Sequence, residues 1–132
     1  MFKTASLTAL LLICAGNAHA SFSLVCDEKA QLDEILSANQ DKGFDAAREK
    51  FLAFVDLRNE HGDPTCELSE PPQPERVGQV VSHYESIEFL PEQLHDVIVV
   101  EIRVGEHFVF GTINRFVGEK DVAQVVGAAS AQ

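Results

Sequence analysis

The apolar positions of this chain change period along its length. From Asp27 to Gln40, Leu32, Ile35 and Leu36 lead a stripe that ends at Asn39, at i, i+3, i+4 and i+7. That spacing predicts a helix with one buried face. Asp41-Lys42-Gly43 breaks it. A second stripe, Phe44, Ala47, Phe51, Phe54 and Val55, widened by Leu52, predicts another helix over residues 44–61. Acids near each start (Asp27 and Glu28, then Asp45) and Arg58 near the second end suit the helix dipole. Gly62 and Asp63-Pro64 stop the second helix. Two helices joined by so short a loop make a helical hairpin.

From Thr65 the period shortens to two. Residues 65–69 predict a short strand, and Pro71, Pro72 and Pro74 a stiff connector. Residues 77–90 read as one strand or two, interrupted by Pro91-Glu92-Gln93. Val97 to Val104 carries the strongest strand signal, and His107 to Ile113 returns after Gly105-Glu106. Glycine first in a two-residue link predicts a hairpin pairing Val104 with His107, Ile102 with Val109 and Val100 with Gly111. Alternation then places Ile98, Val100, Ile102, Val109 and Ile113 on one face, which we expect against the helices. Val99, Glu101, Arg103, Phe108, Phe110 and Thr112 take the other. The expected fold is α+β: the helical hairpin on a three- to four-stranded antiparallel sheet. A runner-up is a cone-shaped domain whose curved sheet encloses a pocket against the helices. The phenylalanines of the second helix favour a filled interior.

The first twenty residues fit none of this. Lys3, the apolar run from Leu7 to Ala15, and Ala18-His19-Ala20 follow the plan of a secretory signal peptide, with cleavage expected before Ser21. The stretch is too polar beyond Gly16 for a spanning helix, so no membrane insertion is expected after cleavage. Export changes the reading of the cysteines. Cys14 leaves with the signal, and Cys26 and Cys66 are expected to form a structural disulfide. The domain is then expected over residues 21–117, with residues 118–132 a flexible or weakly ordered tail. Within that tail Val122, Val125 and Val126 have helical spacing.

The chain has 132 residues, one domain's worth, and a formal net charge of −11. Such acidity repels phosphate backbones and argues against nucleic acid as a partner. No phosphate-binding glycine loop, nucleophile elbow or zinc-protease motif occurs. His61, His83, His95 and His107 each lie within two residues of an acid, at no recognised metal spacing. We expect them to be exposed or capping, and expect no metal or cofactor. Arg58, His61 and Asp63 gather in one loop, which reads as helix termination.

The candidate binding surface is the outer sheet face: Val99, Phe108 and Phe110 as an apolar patch, with Glu101 and Arg103 beside it. These features together suggest a non-enzymatic exported protein of the periplasm or medium that engages a protein partner. A basic partner, in an inhibitor or immunity-type role, would match the charge. The alternative is a small-ligand carrier with an apolar pocket between helices and sheet, and behind it an enzyme with an unfamiliar acid–base site.

Overall fold

A computed structural model describes residues 22–120. The signal-like segment and the Val122/Val125/Val126 stretch lie outside the described residues. Strand β1 (Ser23–Cys26) leads into helix α1 (Lys29–Lys42), and Gly43 joins α1 to helix α2 (Phe44–Asp56). Strands β2 (Cys66–Ser69), β3 (Val77–Leu90), β4 (Gln93–Val104) and β5 (His107–Glu119) follow, with a 3-10 turn at Pro74–Arg76 before β3. All pairings are antiparallel, in the order β2-β1-β5-β4-β3. The fold is α+β, but the sheet has five strands rather than three or four. The added strand is β1, whose Leu24 and Val25 sit in an uncharged stretch directly after the signal-like segment and show no alternation long enough to read.

The β4–β5 hairpin has the expected register: Val104 pairs with His107, Ile102 with Val109 and Val100 with Gly111. Gly105 takes φ 63° in the two-residue turn, a conformation that costs glycine little. β5 then runs on to Glu119, through Gly118.

The face assignment is reversed. The helices cover Val97 and Val99 of β4 together with Ile87 and Phe89 of β3, and Phe110 packs at the margin of that core. Residues 97–100 are four consecutive apolar positions, so both faces of β4 are apolar and alternation does not choose between them. Val100 and Ile102 are nevertheless buried, on the opposite face.

What shelters that face follows from topology. β2 and β3 lie at opposite edges, so residues 70–76 must cross the sheet. Four strand spacings amount to about 19 Å, and a seven-residue chain reaches at most about 25 Å. The link has little slack: Pro71 and Pro72 stiffen its first half by fixing φ, and the 3-10 turn at Pro74–Arg76 takes up the rest. Pro71, Pro72 and Arg76 share a groove with Val25, Ile102 and Val109 of this face.

α1 meets the sheet through Leu32, Ile35 and Leu36, and through Asn39, also buried. The Asn39 amide donates to the Glu88 carbonyl (2.7 Å), and its Oδ1 accepts from the Glu88 N–H (3.0 Å). One side chain thus acts as an extra strand residue on the free edge of β3. The Glu88 carboxylate accepts from the Glu92 N–H (2.8 Å) and the Phe44 N–H (3.4 Å), and pairs with Lys120 (3.0 Å). It ties the β3–β4 turn to the start of α2.

The opposite end of the hairpin is covalently fixed. Cys26 and Cys66 form a disulfide between paired positions of β1 and β2, 40 residues apart in sequence. α2 ends at Asp56, five residues before the expected His61. There the Thr65 hydroxyl donates to the Phe54 carbonyl (2.7 Å), and the Leu57 carbonyl accepts from the Thr65 N–H. The loop that follows is closed by Asn59, whose Oδ1 accepts from the N–H groups of His61 and Asp63.

Two outcomes follow. Replacing both cysteines by alanine should cost about 4 kcal/mol, the chain-entropy value for a loop of this length. Urea denaturation should show a lower midpoint for that variant. Asn39→Ala leaves a buried edge amide and carbonyl without partners and should cost about 2–4 kcal/mol by the same measurement.

Candidate functional site

The helical hairpin does not lie flat on the sheet. α2 has a well-formed apolar stripe, yet Ala47 is its one buried residue, and Phe44, Phe51 and Phe54 are half-buried. Ala47 joins the core and Phe51 and Phe54 pack against it, but Phe44, Ala47 and Phe51 also face a cavity of about 410 Å³. Phe44, Ala47 and Phe51 form its α2 wall, Ile35 and Leu36 its α1 wall. Phe22, Leu24, Leu68 and Phe89 close it from the sheet side. The volume lies within the roughly 300–1,000 Å³ of small-molecule sites. Leu52 and Leu68 also line it and are 42% and 57% exposed, so the cavity opens to solvent beside them. The interior is therefore not filled in the way the phenylalanines suggested.

Its chemistry is one-sided. Asn39 is in the wall, but both ends of its amide are held by Glu88. Among the described residues Arg48 is the one charged residue of the lining, and no acidic residue lines the cavity, although the chain has 21.

Beyond α1 lies a polar cluster. The Asp33 carboxylate accepts from Ser82 (2.8 Å) and Tyr84 (2.7 Å) on β3 and pairs with Lys29 one helical turn away. Burial pushes the Asp33 pKa upward, but the hydrogen bonds from Lys29, Tyr84 and Ser82 outweigh it and hold the carboxyl below its usual 3.8. Burial, then the Asp33 carboxylate, raises the Tyr84 phenol above its usual 10.0. The cluster positions α1 on the sheet.

The expected binding patch is divided. Val99 is fully buried beneath the helices, and Phe110 is half-buried at the edge of the same core. Glu101 accepts a hydrogen bond from the Gln79 N–H (3.1 Å). Arg103 and Phe108 remain outside: the guanidinium sits 5.9 Å from the ring centroid, and Phe108 is 45% exposed. Glu101 and Arg103 do share a face with Phe108 and Phe110 as the register requires, but the helices cover the Val99 end of it.

His95 corrects the expectation of exposed histidines. It is fully buried, with ring centroids 5.6 Å from those of both Phe89 and Phe116. Its Nδ1 lies 3.0 Å from the Asn114 amide nitrogen and its Nε2 3.4 Å from Gln93 Oε1. It points to the same face as Val97 and Val99, an alternation the sequence contains but which began, in our reading, only at Val97.

The cavity itself was not legible as residues. Its sequence signal is Ala47, a small side chain at the centre of an otherwise aromatic stripe. No helix among the described residues is long and apolar enough to cross a membrane. No protein-family model, curated protein or solved structure matches the chain.

The Asp33 cluster gives a pH dependence of defined sign. A carboxyl whose folded pKa is depressed stabilises the fold above its unfolded value, and the contribution is lost as pH falls through the folded value. Asp33→Asn should therefore cost about 1–3 kcal/mol at neutral pH. The gap from wild type should narrow below about pH 4, as the wild-type carboxyl protonates. Urea midpoints measured from pH 7 to pH 2 test both statements.

Proposed function

We propose that this is a small exported, non-enzymatic binding protein that carries an apolar small molecule between its helical hairpin and its sheet. The observation behind this reading is the 410 Å³ cavity, with aliphatic and aromatic walls and a mouth flanked by exposed leucines. A cavity so lined offers little hydration to resident water, so an apolar guest gains by entering. Export is supported by the signal-like first twenty residues and by a disulfide, a bond that persists in oxidising compartments. The guest takes the place of the protein partner suggested by the sequence, because the patch proposed for such a partner is split by the helices.

The test uses N-phenyl-1-naphthylamine, a neutral dye that brightens in apolar surroundings. We expect saturable one-to-one binding and a melting temperature that rises with dye concentration. Ala47→Leu puts a larger side chain into the cavity and should weaken dye binding at least tenfold while circular dichroism stays unchanged. Dye that does not brighten on wild-type protein, or binds Ala47→Leu equally well, refutes the carrier reading.

A further inference from the structure

The cavity's single charge says more about its guest. Resting on the carrier reading above, we infer that the ligand is a single-chain amphiphile with an anionic head group, and that Arg48 holds the head. Arg48 lies on α2 one turn from Phe44 on one side and from Leu52 on the other, and all three line the cavity. It is exposed while its neighbours in the wall are apolar, which places the guanidinium at the mouth.

Arg48 also has no counter-ion among the described residues. Lys29, Lys50, Arg115 and Lys120 pair with Asp33, Glu34, Asp96 and Glu88. Asp45 and Glu49 are near Arg48 in sequence, yet Arg48 is in none of the ion pairs among the described residues. Glu88, which reaches the Phe44 N–H, is occupied by Lys120. Among the described residues Lys42, Arg58, Arg76 and Arg103 are likewise in no ion pair, but none of them lines the cavity, so Arg48 is the cation placed to meet an anion there.

Guanidinium meets carboxylate or phosphate oxygens through two parallel N–H donors, a geometry a lysine does not offer. Behind it, the remaining polar wall residue, Asn39, has its amide engaged. The guest must therefore be apolar along its buried length and polar only at its end. A volume near the lower end of the usual pocket range suits one hydrocarbon chain rather than two. The protein's overall field points the other way: a net charge of −11 repels anions. Any preference for an acidic head must then come from a local contact, which makes it a sharp test.

The experiment is displacement of N-phenyl-1-naphthylamine from the full chain by tetradecanoate, monotetradecyl phosphate and 1-tetradecanol, each below its aggregation concentration. On wild-type protein, at least one of the two anions should displace the dye at a concentration tenfold or more below that of the alcohol. The tighter anion identifies the head as carboxylate or phosphate. Arg48→Gln should bring the acids within twofold of the alcohol and leave the alcohol unchanged. Lys42→Gln, which removes an exposed cation of the same hairpin that does not line the cavity, should leave all three unchanged. Equal displacement by anions and alcohol on wild type overturns the inference, as does an anion preference that survives Arg48→Gln or vanishes in Lys42→Gln. Dye that binds but yields to none of the three also overturns it, with the carrier reading intact. Dye that fails to bind overturns the carrier reading itself.

Discussion

The helical hairpin is held at its two ends, and the rest of the molecule is arranged around that fact. At the tip, Asn39 completes the hydrogen bonding of the β3 edge at Glu88, and the Glu88 carboxylate reaches the first N–H of α2. At the base, the disulfide locks β1 to β2, and Thr65 fastens the end of α2 to the strand that follows. Between these points α1 lies on the sheet and α2 stands off it. The cavity is the space under α2. Without the two anchors nothing would keep a stripe of phenylalanines from settling onto β1 and β2, since burying each further would gain about 1–2 kcal/mol.

The sheet is apolar on both faces, and the chain covers the second face economically. β2 and β3 are successive strands at opposite edges. Their link therefore has to cross the sheet, and a short proline-rich segment does so over the side the helices leave open. The same connection that solves a topological problem shelters Ile102 and Val109. A run such as Val97 to Val100 is tolerable in a protein of this size only because both sides have a cover.

Those two covers explain what could be read from the sequence. The β4–β5 register was legible because Gly105-Glu106 fixes it locally, and every pair from Val104–His107 to Val100–Gly111 followed. The disulfide was legible because reading the first twenty residues as a signal sets Cys14 aside and leaves Cys26 and Cys66. The face was not, because a strand apolar on both sides carries no information about which side the helices take. That one ambiguity moved Val99 and Phe110 from a presumed surface patch into or beside the core, and left Arg103 and Phe108 alone outside. β1 was missed because four residues beside a signal-like segment show too short a pattern. Asn39 was visible as a polar residue in an apolar stripe, but its partner is the backbone at Glu88, 49 residues away, which no local pattern reveals. The cavity was the least legible feature, since it depends on where two anchored ends hold a helix.

The disulfide and the cavity are best understood together. A domain of this size has about 5–15 kcal/mol of net stability. Leaving Phe44, Phe51 and Phe54 half-buried forgoes several kcal/mol of that. The cross-link between Cys26 and Cys66 returns a similar amount, about 4 kcal/mol, by restricting the unfolded chain rather than by adding contacts to the folded one. That distinction matters for the cavity. Stability gained from packing would fill the space under α2, whereas stability gained from the unfolded state leaves it open. On the carrier reading proposed above, a guest that entered would recover the contacts the fold has gone without, so ligand affinity and native-state stability would be drawn from the same uncovered surface.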